Sequence, residues 1–235
     1  MAIKRKGSSK KVYIAIFLLI VLIAASGAIV YSYYSGQTPS VIEVTPGVKV
    51  GDTFTYSIHG VSTLIGLDAV EPPEFSQNNQ TDYYKVTITN VNGSNVSMDT
   101  VWQFLNGTAR NYQQTINLAT GLQTNQNTGF WAIYAPNLNQ NDKVRPSGTD
   151  GLIVNTTDTK TYADSTRQRN CWSIQNDFFD VRDPTYGTQQ RRTTIVYFDK
   201  ATGMLDTLSD IQQYNNPQIN LVVTWKLVNS SIWVV

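Results

Sequence analysis

The chain has one cysteine and one histidine among 235 residues, and both scarcities exclude chemistry. A lone cysteine cannot form an intrachain disulfide framework. One cysteine with one histidine cannot supply a zinc site built from several such ligands. Glutamate is almost as rare, with Glu43, Glu71 and Glu74 standing beside 14 aspartates. A surplus of positive charge is missing from most of the chain. Lys4, Arg5, Lys6, Lys10 and Lys11 precede any acid, and the 13 other basic residues face 17 acidic ones, a net of −4. Nucleic acid needs clustered Lys and Arg against its phosphates, so it is not an expected partner. Glycine-rich phosphate cradles are absent as well. What is present, 41% hydrophobic and 11% aromatic residues, describes a chain that collapses into an ordered core.

Long apolar runs are missing too, with one exception. Val12 to Val30 carries no charge, and only Tyr13 and Ser26 are notably polar. About 20 helical residues cross the hydrocarbon core, and Tyr31, Tyr33 and Tyr34 extend this run into the interfacial zone that tyrosine favours. The pattern predicts a basic cytoplasmic tip over 1–11, a transmembrane helix over 12–34 and a linker over 35–40. The remainder, 41–235, is then an extracytoplasmic domain displayed outside the plasma membrane with the amino terminus inside. The competing reading is a cleaved signal peptide, since Ala24 to Ala28 offers small residues. The run continues through Gly27, Ala28, Ile29 and Val30, which favours the uncleaved anchor.

Beyond the linker, Asn, Gln, Ser and Thr are abundant, 80 across the whole chain, and large apolar residues alternate with them. Phe54, Tyr56 and Ile58 alternate with Thr53, Thr55 and Ser57, the period of a half-buried strand. The same period recurs in Tyr84, Val86 and Ile88 and in Val96 and Met98. Asn92-Gly93 and Asn106-Gly107 follow these segments as hairpin turns. Later strands are expected over 151–157, 159–164, 167–174, 192–198, 204–212, 219–228 and 232–235. Residues 64–70 and 176–181 are read as helical turns, and 74–81 and 137–150 as loops. The fold class is mainly β: an N-terminal transmembrane helix followed by an antiparallel β ectodomain arranged as a meander, half-barrel or sandwich. The segments 47–52 and 137–142 echo one another faintly, and shared Asx-type turn chemistry explains that without a repeat.

Few residues offer catalysis. His59 ends the first strand, where a backbone-bonded rim residue is the expected role. Cys171, beside Trp172, reads as a small buried hydrophobe. Glu71 and Glu74 straddle Pro72-Pro73, where solvent leaves both ionised, which argues against a glycosidase pair. Asp177, Asp180 and Asp183 gather around Phe178 and Arg182, but their spacing is not that of an EF-hand. No catalytic residue, cofactor or metal is therefore expected. Trp131, after a polar Asn/Gln stretch, and Phe178 are the candidate ligand-facing rings. Asn79, Asn92, Asn95, Asn106, Asn155 and Asn229 each begin Asn-x-Ser/Thr and are candidate glycosylation acceptors.

The basic tip, the single anchor, VKVGDTFTYSI, APNLNQNDKV, NTTDTKTYADSTRQRNCWSI and YFDKATGML together resemble a group of archaeal single-pass surface proteins without assigned activity. The YFDKATGML hairpin is also similar to LolA-like lipoprotein-carrier domains, which implies strands curled as a half barrel around an apolar cavity. The leading expectation is a membrane-anchored surface domain that binds an envelope protein or glycan, or serves structurally, without catalysis. The alternatives are a half-barrel carrier of a lipid or other hydrophobic ligand and a pilin-like filament subunit.

Overall fold

The computed structural model describes residues 42–124, 131–179 and 189–235. The expected tip, anchor and linker lie outside them, and no helix among the described residues is long and apolar enough to cross a membrane. One compact unit runs from Ile42 to Val235.

Ten antiparallel strands build it: β1 (Thr53–Ile65), β2 (Thr81–Asn92), β3 (Asn95–Phe104), β4 (Ala109–Asn117), β5 (Gln123–Thr124), β6 (Thr156–Thr161), β7 (Thr166–Phe179), β8 (Gln189–Asp199), β9 (Leu205–Asn215) and β10 (Gln218–Ser230). The one helix described, α1 (Ser76–Asn79), is a single turn. All ten strands join one sheet in the order β5-β4-β3-β2-β1-β10-β9-β8-β7-β6. Of the expected arrangements, meander, half-barrel or sandwich, the described strands form one open sheet of two meanders, joined by the pairing of β1 with β10. Residues 176–179, expected as helix, continue β7, because their ladder with β8 runs unbroken from Arg169 to Phe179. The 232–235 segment is not a strand. Trp233 there packs its ring 5.9 Å from Phe54 and 5.9 Å from Tyr162.

The alternation in β1 sets the inner face. Phe54 and Tyr56 are fully buried, while Thr53, Thr55 and Ser57 are half-covered. Strand register carries that face across the sheet, from Ile58 to Trp225, Leu208, Val196 and Trp172. The Asn92-Gly93 turn closes one residue later than the sequence suggested. Asn92 pairs with Asn95 and the two loop residues are Gly93 and Ser94, with Gly93 at φ +54°, a position where glycine meets no Cβ penalty.

The connection from β5 to β6 must travel from one edge of the sheet to the other. It does so across the inner face, where Ala132, Ile133, Tyr134, Ala135, Val144 and Val154 join the core. The Trp131 indole N–H donates to the Gly121 carbonyl after β4, and the next residue, Ala132, accepts from the Leu205 N–H of β9. Those strands stand five spacings apart, about 24 Å if the sheet were flat. Two adjacent residues bridge them, so this end of the sheet curls inward around the connection.

Near the opposite end, β1 and β2 part company, since their ladder covers only Thr53 to Tyr56 of β1. Asn79 fills the gap: its Oδ1 accepts the Gly60 N–H at 2.8 Å and its Nδ2 donates to the Gly60 carbonyl at 2.8 Å. Gly60 is required there, because a Cβ would sit 2.9 Å from the Phe75 ring.

Candidate binding face

On the inner face beyond the crossing segment, register places Val223, Asp210, Thr194 and Ile174 in one row, and Leu221, Gln212, Arg192 and Asn176 in the next. A continuous chain of polar side chains results. Arg192 clamps Asp210 through Nε at 2.7 Å and Nη2 at 3.0 Å. Thr194 and Gln212 also donate to Asp210, at 3.3 and 3.0 Å. Tyr214 donates to Gln212 at 3.1 Å, and Gln190 donates to Tyr214 at 3.1 Å. The Asp210 side chain is 12% exposed and that of Arg192 51% exposed, so the pair opens to solvent on the arginine side.

Beside this chain lies a wall of rings. Trp225 meets Tyr84 edge-on at 4.9 Å, and Trp102 stands 6.5 Å from Trp225 and 5.0 Å from Phe104. Arg110, exposed, lies 5.7 Å over Trp102 and 5.2 Å over Phe104. Trp102 anchors itself by donating to Thr81 at 2.8 Å. Burial pushes the Tyr84 hydroxyl up to about 12. Half-covered indoles beside fixed donors and acceptors suit a ligand that presents both an apolar face and hydroxyl groups.

A second charged group is enclosed in structure. Asp206 is fully buried and accepts from Tyr162 Oη at 2.5 Å, Arg169 Nη1 at 2.7 Å and Lys160 Nζ at 2.8 Å. Burial alone would raise its pKa, but these three donors outweigh that and hold the carboxyl below its ordinary value. Arg169 also clamps Asp158, and Arg167 clamps buried Asp199. These ion pairs tie β6, β7, β8 and β9 together.

The residues singled out in sequence are scattered. Trp131 is half-buried, with its N–H donated to the Gly121 carbonyl and Arg145 4.9 Å above its ring. Phe178 is 45% exposed on β7, on the same face as Asp210. His59 is exposed opposite Thr224. Cys171 is buried and burial raises its thiol pKa, as a structural cysteine requires. Glu71 accepts from Ser62 at 2.5 Å, and Glu74 is exposed. Asp177 pairs with Arg191 at 2.8 Å, which holds the carboxyl below its usual range. Asp180, Arg182 and Asp183 lie outside the described residues. Among the described residues no cluster of three or more His, Cys, Asp or Glu is placed to hold a metal.

The six sequons differ in what their amides do. Asn79 is spent on Gly60, and Asn155 accepts the Ser173 N–H at 2.7 Å. Asn95 accepts from Asn117, and Asn106 accepts from its own Thr108, leaving its exposed amide nitrogen outward. Asn92 and Asn229 are exposed. No protein-family model matches the chain, and no curated protein sequence is significantly similar to it.

Proposed function

We propose that the chain is a membrane-anchored, outward-displayed binding domain without catalytic activity, and that its inner face takes a hydroxyl-rich ligand such as an envelope glycan. The observation that carries this reading is the Asp210-centred chain of donors and acceptors lying beside the Trp102 and Trp225 wall. A sugar ring has an apolar face to stack on an indole and hydroxyls to exchange hydrogen bonds with planar side chains. The carrier reading has less room, because the chain's own residues 132–154 occupy much of the face a lipid would use. The anchor rests on the uncharged run Val12 to Val30 behind five basic residues.

The test is binding of the full-length protein in detergent to isolated envelope polysaccharide, followed by calorimetry. Trp225→Ala and Asp210→Asn are expected to weaken binding by about tenfold or more each, the equivalent of about 1.4 kcal/mol. Unchanged affinity in both folded variants would overturn the assignment of this face. Digestion of the domain by protease added outside intact cells is the matching check on the anchor, and protection of the whole domain would refute it.

A further inference from the structure

The outer edge of β7 changes character halfway along its length. Its lower half pairs with β6, and that ladder ends at Cys171 opposite Thr156. The Asn155 N–H donates to the Cys171 carbonyl at 2.8 Å, and the Asn155 side chain accepts the Ser173 N–H at 2.7 Å. Asn155 thus supplies the last rung on that side. Cys171 and Ser173 point their backbone groups toward β6, whereas the Gln168 carbonyl accepts from Lys200 on the β8 side. Backbone direction alternates along a strand, so Gln175 and Asp177 also aim their N–H and C=O groups outward. Among the described residues, no strand pairs with that edge above Ser173.

Open edges are normally blunted by proline, lysine, a bulge or a short length. Residues 174–178 of β7 read Ile-Gln-Asn-Asp-Phe and contain neither proline nor lysine, the one charge, Asp177, is paired with Arg191 on β8, and the ladder behind them has no register shift. Two apolar side chains stand on the inner-face side of this edge, Ile174 at 36% and Phe178 at 45% exposure.

We propose that this edge pairs antiparallel with the same edge of a second copy of the chain, about a two-fold axis at Asn176. That register follows from the pattern of directions. A two-fold axis perpendicular to the sheet keeps each face on its own side, so even residues oppose even ones. The outward groups of Gln175 then meet those of Asp177 in a pair that exchanges both backbone hydrogen bonds, and the axis repeats the exchange. Ile174 falls opposite Phe178 in a non-hydrogen-bonded pair, where side chains come closest, so each copy covers the other's exposed apolar group. Asp177 meets the neutral Gln175 and not a second Asp177, so no like charges face each other. The edge is complementary to itself in hydrogen bonding, apolar surface and charge.

The test uses full-length protein in its membrane or in detergent, with Cys171→Ser as the background. In the dimer, Asn176 lies opposite its own copy with Cα atoms about 4.5 Å apart, a separation a disulfide spans. Asn176→Cys is expected to give a covalent dimer on mild oxidation, while His59→Cys on exposed β1 gives none. Gln175→Pro removes only an outward N–H and leaves the β8 ladder intact, and it is expected to cut the cross-linked fraction by about tenfold. Phe178→Asp, at an exposed position, is expected to cut it as well. A folded Asn176→Cys protein that yields no dimer, equal cross-linking by His59→Cys, or cross-linking that Gln175→Pro and Phe178→Asp leave untouched would each overturn the proposal. Cross-linking of Asn176→Cys to a protein of another size would overturn it in favour of a foreign strand.

Discussion

Tyr162 donates a 2.5 Å hydrogen bond to Asp206 and so ties the residue after the edge strand β6 to the start of β9, three strands away. Asp206 is fully buried, and Lys160 and Arg169 complete its surroundings. Replacing it by Asn strips Lys160 of its counter-charge and leaves Arg169 with Asp158 alone, so Asp206→Asn is expected to cost about 3 kcal/mol, the usual penalty for breaking a buried pair. Urea unfolding followed by tryptophan fluorescence measures this, and an effect within error of wild type would refute it.

The same carboxyl gives the acid limb of stability. Its folded pKa lies below the ordinary value, so below the usual aspartate range the unfolded chain binds the extra proton. Stability from this group is complete above about pH 4 and is lost as pH falls through the lower folded value. Thermal unfolding between pH 5 and pH 2, as approximate limits, is expected to lose midpoint temperature steeply in wild type and less steeply in Asp206→Asn.

The alkaline limb belongs to the tyrosines. Burial raises the hydroxyl pKa of Tyr56, Tyr134 and Tyr162, and that of Tyr84 to about 12. A raised tyrosine contributes stability that is full below about pH 10 and is lost as pH climbs through the folded value. Absorbance titration of phenolate is expected to show a late, cooperative group that ionises together with unfolding. Smooth titration of all tyrosines near pH 10 in folded protein would contradict this.

Gly203 has φ +77°, and a Cβ there would lie 2.1 Å from the Tyr134 carbonyl oxygen. Left-handed backbone alone costs about 1 kcal/mol for a residue with a side chain. The contact with the crossing segment adds to it. Gly203→Val is therefore expected to destabilise by about 3 kcal/mol or more. Gly107→Val, at φ +83° with open space around it, is expected to cost about 1 to 2 kcal/mol, and the difference between the two isolates the contact.

Of the glycosylation sequons, Asn106 and Asn79 should behave oppositely. Asn106→Gln is expected to increase electrophoretic mobility of protein from a glycosylating host, and Asn79→Gln is not, because folding commits the Asn79 amide to Gly60. Asn79→Ala is instead expected to lower stability by about 2 kcal/mol, from two lost hydrogen bonds to backbone.

Local signals in this chain were legible wherever neighbours in sequence settle the structure. Phe54, Tyr56 and Ile58 announce an inner face by their spacing. The echo of 47–52 in 137–142 is a shared turn: Asp52 accepts the Lys49 N–H at 2.8 Å, and Asp142 accepts the Asn139 N–H at 2.7 Å. Asn176 to Phe179 was misread because a polar-aromatic run has no clear period, and only the β8 ladder fixes it as strand. The face proposed for binding was not legible at all. Asp210, Arg192 and Gln212 lie on two strands, and their meeting depends on a register that no local pattern encodes. The Arg145 guanidinium 4.9 Å over the Trp131 ring is likewise a contact that no local pattern encodes.

The pairing of β1 with β10 puts the first and last of the described strands at the centre of the sheet. Each half of the sheet holds an unfilled hydrogen-bonding seam until β1 and β10 meet, and that contact spans nearly the whole described domain, which slows folding. A chain stopped before β10 loses the joint between its halves, not a dispensable margin. The inner margin of each half-sheet would then be an open ladder, a template on which another chain can pair.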